Sequence, residues 1–319
     1  MNAPAQLKLN GPADLLSAVP YLLGFTPEHS LVVVALKRGE LQCTFRVDLP
    51  GSVDHLDHLP SLTKQLENND ADTVVLIAYG EDAIATAAVQ RAAMELDLRD
   101  ITIFDQLRVT DGRYYNLGCT GPCCPTEGQP LTDNSAIGTE LIASGAVRRT
   151  DRNAITELFA PAPAEQRAAV TRAIDDALHT EADLDWAEQR RHDLAVIDRW
   201  LEADTLPERP EDIATLGLAV SDLDVRDYTL RNTDPHRETA SDLWLWVARH
   251  LEDDFLAPAL TIAGWCAYRT GNGVVAIEAF TLALKASPHY RLAQMLMAAV
   301  QAGIPPRALD SMSAISATA

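Results

Sequence analysis

The sequence predicts an N-terminal α/β domain with a mixed sheet, followed by an all-α domain that ends in a tetratricopeptide-like helical hairpin. Three observations predict it. Up to residue 117, β-branched runs alternate with segments of helical period. From about residue 135 onward no convincing strand pattern occurs. Near the C-terminus, GWCAYRTGNGVVAIEAFTLALKASP (264–288) carries Gly264, Gly271, Ala276, Phe280, Ala283 and Pro288. That spacing is similar to a tetratricopeptide repeat, whose small residues let two antiparallel helices pack closely. A single copy is visible, so a helical hairpin packed on its neighbours is expected, not a solenoid.

The elements follow in order. PADLLSAVPYLL (12–23) sets Leu15, Leu16, Val19, Leu22 and Leu23 on one helical face, with Pro20 as a candidate kink. Gly24 supplies the left-handed residue that ends a helix, and Pro27 blocks continuation. SLVVVAL (30–36) reads as a buried strand. A hairpin turn near Arg38-Gly39-Glu40 leads to a partner strand alternating Leu41, Cys43, Phe45 and Val47. A helical segment follows with Leu56, Leu59, Leu62 and Leu66 in register. DTVVLIAYG (72–80) is the next strand, residues 82–97 an Ala-rich helix, and ITIFDQLRVT (101–110) a further strand. Asp111-Gly112 is a strong hairpin-turn signal and returns the chain through 113–117.

Helices are expected near 136–144, 151–159, 164–203, 210–220, 238–254, 257–270, 273–286 and 289–302, with a break near His179-Thr180. PAPAEQ (161–166) and LPERPED (206–212) are hinge candidates. The boundary, sought between 134 and 162, is set at 134. That makes 1–134 the α/β domain, with its hairpins and a Cys/Gly/Pro loop, and 135–319 the helical domain.

The formal net charge is −20 and the pI about 4.7. Such a surface repels phosphate backbones and anionic membranes, so neither nucleic acid nor membrane is expected as a partner. No apolar run approaches the length needed to cross a bilayer. The opening MNAPAQLKLNGPADLL lacks the basic and apolar regions of a signal peptide, which favours the bacterial cytoplasm. Five cysteines without a secretory context disfavour a disulfide framework. Cys43 and Cys266 fall in strand and helix patterns and read as small core residues.

The other three, Cys119, Cys123 and Cys124, crowd the segment NLGCTGPCCPTEGQP (116–130). Three soft ligands fall one short of a structural zinc site, and no second CxxC or HxxxH occurs. A fourth donor would have to come from Glu127, or from a distant His such as His192 or His236. Adjacent cysteines also tend to diverge. A redox or nucleophilic thiol would need nearby positive charge, and Arg113 is the nearest cation in sequence. The plainer reading is a compact loop whose Gly and Pro residues set backbone angles. Metal ligation by Cys119, Cys123 and Cys124 is therefore kept as a candidate and not favoured, and no cofactor is predicted.

Other candidates are weaker. His55 and His58, in DHLDHLP, read as solvated polar positions before a metal pair. No phosphate loop, GxSxG elbow or HExxH occurs. Arg226 and Asp227 read as a structural ion pair. Leu243, Trp246, Val247, His250 and Leu251 form one helical face, which makes Trp246 a core residue and leaves Trp244 as an interface candidate.

VPYLLGFTPEHSLVVV (19–34), CTGPCCPTEGQPL (119–131) and PALTIAGWCAYRTGNGVVAIEAFTLALKASPHYRLAQML (258–296) together resemble the actinobacterial domain-of-unknown-function family 4192. The resemblance covers nearly the whole chain. The CCP-x-EG element is its most specific part, with Thr126 standing where a second proline is expected. The resemblance implies a bacterial cytoplasmic protein and carries no activity and no catalytic residue with it.

The sequence favours a non-catalytic interaction or regulatory module that takes a protein partner or forms a homo-oligomer, and it leans away from an enzyme. The alternative is an enzyme or a metal- or thiol-dependent module centred on the Cys119–Cys124 loop.

Overall fold

The computed structural model describes residues 8–58, 62–132, 135–143, 148–149, 153–180 and 185–309. It divides into two compact units, one running to Ala154 and including Gln301–Leu309, the other Ile155–Val300.

In the first unit Pro12–Leu23 (α1) runs through Pro20 and ends at Gly24, whose φ of 81° is the left-handed cap read from the sequence. Two tight turns then set the sheet. Arg38 and Gly39 (φ 52° and 81°) join Ser30–Lys37 (β1) to Glu40–Asp48 (β2). Positive φ at both central residues gives the twist that a two-residue hairpin needs. A short 3-10 turn at Val53–His58 and Thr63–Asn68 (α2) lead to Thr73–Tyr79 (β3). Of the leucines expected there, Leu56, Leu62 and Leu66 are buried, while Leu59 lies outside the described residues.

Asp82–Asp97 (α3) carries the chain from β3 to Thr102–Thr110 (β4), and this crossover makes β3 and β4 parallel. Asp111 and Gly112 (φ 48° and 69°) form the second hairpin turn, into Arg113–Asn116 (β5). A two-residue strand, Gln129–Pro130 (β6), completes a mixed sheet of order β2-β1-β3-β4-β5-β6. β6 is absent from the sequence reading, because two residues carry no period.

One face of this sheet packs Leu31, Val33, Ala35, Val74, Leu76 and Ala78 against Leu66 of α2 and Ala85, Val89, Ala92 and Leu96 of α3. Cys43 lies against this core, as expected of a small apolar side chain. Ser135–Ala143 (α4) approaches α1 at Gly138, where an added Cβ would lie 2.7 Å from the Tyr21 hydroxyl. Residues 301–309 also belong to this unit. Asn68 and Asn69 donate side-chain N–H groups to the carbonyls of Ala302 (2.6 Å) and Gly303 (2.7 Å).

The second unit is helical: Ala164–Thr180 (α6), after a short Asn153–Thr156 turn (α5), then Trp186–Glu202 (α7), Pro210–Ala219 (α8), Leu223–Asn232 (α9), Glu238–His250 (α10), Leu256–Arg269 (α11), Gly273–Ala286 (α12) and Arg291–Gln301 (α13). α9 was missed in the sequence. It is short and strongly polar, and Asp222 starts it by accepting N–H groups from Asp224 and Val225. α11 is buried all round, and Cys266 with it. Gly264 of α11 sits so close to α12 that a Cβ would lie 2.5 Å from Phe280 and 3.0 Å from Ala279.

Trp244 corrects the sequence reading. It is fully buried, while Trp246 is only partly so and donates Nε1–H to the Pro207 carbonyl at 2.8 Å. The buried stripe of α10 runs through Ala240, Leu243, Trp244, Val247, Ala248 and Leu251. That is the wider stripe of a helix packed in a globular core, and it takes in the position beside Leu243.

Candidate thiol and metal centre

The cysteine loop begins where β5 ends and is held at both ends by the strands. Asn116 closes β5 and turns the chain: its Oδ1 accepts the Gly118 N–H (3.0 Å), and its Nδ2 donates to Asp105 of β4 (2.7 Å). Two tight turns follow. The Cys124 N–H donates to the Gly121 carbonyl (2.9 Å), and the Gly128 N–H to the Pro125 carbonyl (2.9 Å). Gly128 takes a φ of 73°, and a Cβ there would lie 2.6 Å from the Tyr115 ring, so only glycine fits the second turn.

The return is fastened to β5. Arg113 donates from Nε to the Glu127 carbonyl and from Nη2 to the Gly128 carbonyl, each at 2.7 Å. Gln129 links strand to loop: its Oε1 accepts the Tyr114 hydroxyl (2.6 Å), and its Nε2 donates to the Cys123 carbonyl (2.7 Å). From Gly121 to Gly128 the loop is thus tied to its own backbone and to the side chains of Arg113 and Gln129.

Within this frame the sulfurs meet. Cys119 Sγ lies 3.6 Å from Cys123 Sγ, Cys124 Sγ lies 3.8 Å from Cys123 Sγ, and all three fall within 4.8 Å of one another. Cys123 is exposed, and Cys119 and Cys124 are half-buried. The expectation that adjacent cysteines diverge is overturned here, because the turn closed at Gly121 removes the alternation of an extended chain.

The cluster shares its protons unequally. The Gly121 N–H, followed by the contacts with the Cys124 and Cys123 thiols, holds the Cys119 thiol below the ordinary range, against burial and the Asp105 charge. The neighbouring Cys119 thiol, with burial and the hydrogen bond from Cys124 Sγ to Cys123 Sγ, pushes the Cys124 thiol up to about 12. Tyr114 is raised first by burial and then by the nearby Cys124 and Asp105. Cys266, by contrast, is pushed up to about 12 mainly by burial in α11, as an inert core thiol would be.

Of the other sequence candidates, Arg226 and Asp227 form the expected ion pair (2.6 Å), and Arg226 also donates to the Tyr290 hydroxyl (3.2 Å). Pro27 is buried beyond the Gly24 cap. His55 is exposed and contacts Ser52 (3.2 Å), and the side chain of His58 lies outside the described residues. Among the described residues of this unit no His, Asp or Glu, Glu127 included, joins the three sulfurs in a metal-sized group. The residues missed in the sequence are those that shape the loop: Asp105, Tyr114, Asn116 and Gln129. Their one signal is Tyr114, an aromatic on the strand after Asp111-Gly112 and the buried residue of that strand.

Three thiols at these distances can hold a thiophilic cation, share a proton, or pair by oxidation. Among the described residues no helix is long and apolar enough to cross a membrane. Residues 12–307 match a family model described as Domain of unknown function (DUF4192). No curated protein and no solved structure matches.

Proposed function

We propose that this chain, which belongs to the DUF4192 family, is a thiol-dependent regulatory module of the bacterial cytoplasm, centred on Cys119, Cys123 and Cys124. The observation that carries the reading is the convergence of the three sulfurs in a loop tied down at both ends. A loop shaped only for packing has no need to gather three thiols at one partly exposed point.

The remainder of the chain supports a regulatory role over a catalytic one. The helical unit reads as scaffold, and the close α11–α12 contact at Gly264 resembles tetratricopeptide packing. A net charge of −20 favours a protein partner or a second copy of the chain over nucleic acid or an anionic membrane.

The test is thiol labelling of the reduced full chain, read residue by residue by mass spectrometry. If the three form one centre, Cys119→Ser changes the labelling rates of Cys123 and Cys124 several-fold, with Cys266 unlabelled. Rates for Cys123 and Cys124 that match those of unstructured peptides and ignore Cys119→Ser would overturn the reading.

A further inference from the structure

We infer that Cys119, Cys123 and Cys124 bind one zinc-class divalent cation as three thiolate ligands, and that the fourth position is left to a small external donor. The inference rests on the proposed thiolate centre and names its ligand.

The spacing comes first. Zinc–sulfur bonds of ~2.3 Å on a tetrahedral ion set sulfur–sulfur edges of ~3.8 Å. The Cys119–Cys123 and Cys123–Cys124 separations are 3.6 and 3.8 Å. Two of the three edges therefore already match such an ion, and the third sulfur pair lies within 4.8 Å.

The loop is also prearranged. The two closed turns, the Arg113 fork and the Gln129 bridge order the backbone on either side of the cysteines. Little has to be gathered when the ion arrives. All three donors are soft sulfur, which selects against magnesium and calcium, cations that take oxygen ligands.

Among the described residues of this unit no His, Asp or Glu stands with the sulfurs, and Cys123 is exposed. Structural zinc sites close with four protein ligands, while three protein ligands leave an exchangeable place. Water would occupy it at rest, and a small thiol or imidazole could replace it.

The experiment titrates Zn2+ and, as a spectroscopic substitute, Co2+ into the reduced full-length protein. The expected result is one ion per chain, with tetrahedral cobalt–thiolate absorption. Cys119→Ser, Cys123→Ser and Cys124→Ser should each weaken binding at least ~100-fold, and Cys43→Ser should leave it unchanged. Imidazole or a small thiol should then alter the cobalt spectrum without changing the stoichiometry. Less than one ion per chain, or binding insensitive to the three serine variants, would overturn the metal assignment. A cobalt spectrum indifferent to added donors would overturn the open fourth position. Cooperative labelling of the three thiols without metal uptake sinks this inference alone, whereas independent labelling sinks the thiolate centre as well.

Discussion

Cys123 and Cys124 are neighbours in sequence, yet their sulfurs lie only 3.8 Å apart. In extended backbone, consecutive side chains point to opposite faces. Here the Gly121–Cys124 turn brings them together, and Cys119 approaches from before the turn. The loop's chemistry follows from this local fold, which makes the residues that hold the turns the first to vary.

Gly128→Ala tests the second turn. The position has a φ of 73°, and a Cβ would lie 2.6 Å from Tyr115 and 3.0 Å from the Tyr114 carbonyl. Strain of this kind costs about 1–3 kcal/mol. Urea unfolding of the variant should show a lower midpoint, together with faster labelling of Cys123. An unchanged midpoint would mean that the turn is not constrained as described.

Gln129→Ala tests the link between β5 and the loop. It removes both the Tyr114 and the Cys123 carbonyl contacts. The stability cost should be small, about 1 kcal/mol. Metal affinity should fall about 10-fold, since the residue positions a ligand without being one. Loss of stability with affinity retained would show that Gln129 serves the sheet alone.

The tryptophans of α10 should respond differently to phenylalanine. Trp246 donates to the Pro207 carbonyl, whereas the buried Trp244 Nε1 has no hydrogen-bond partner among the described residues. Trp246→Phe orphans an acceptor, and Trp244→Phe removes a buried donor that is already unpaired. Thermal unfolding should therefore show that the hydrogen-bond loss falls on Trp246→Phe alone. Trp244→Ala should cost about 3–5 kcal/mol, which an exposed interface residue would not.

Gly264→Val tests the α11–α12 hairpin. Even a methyl group would press to 2.5 Å from Phe280. Overpacking costs about 1–3 kcal/mol or more. A fall in the melting temperature is expected, and a wild-type value would contradict the close approach.

Asp222 gives the second unit an acid-sensitive contact. Burial pushes its carboxyl up, but the Arg190 guanidinium and the backbone N–H groups of Val225 and Asp224 outweigh burial and hold it below the usual range. A lowered folded pKa contributes stability above the unfolded value of about 3.9. That contribution is lost as the pH falls through the folded value. Asp222→Ala should cost about 1 kcal/mol at pH 7, the worth of a helix cap, and should flatten the acid limb of stability against pH. An identical acid limb in wild type and variant would contradict this.

The sheet was largely legible because its signals are local. The run at 30–36, the strands near 72–80 and 101–110, and the turns at Arg38-Gly39 and Asp111-Gly112 each announce themselves in a few residues. What escaped depends on pairing at a distance. β6 exists because Gln129 meets Tyr114, and Gln301–Leu309 returns to the first unit through Asn68 and Asn69. A heptad face leaves Trp244 out, because the buried stripe of α10 is wider than a heptad seam. The three cysteines were visible as a cluster in the chain, but spacing alone could not say that their sulfurs converge.

The sulfurs of Cys119, Cys123 and Cys124 stand or fall together as one ligand set. The most direct measurement is zinc content and competitive affinity on the reduced full chain, beside the three single serine variants. One zinc per chain is expected, lost from each of Cys119→Ser, Cys123→Ser and Cys124→Ser. A wild-type chain that takes up no zinc, or variants that retain it, would show that the three sulfurs are not one ligand set.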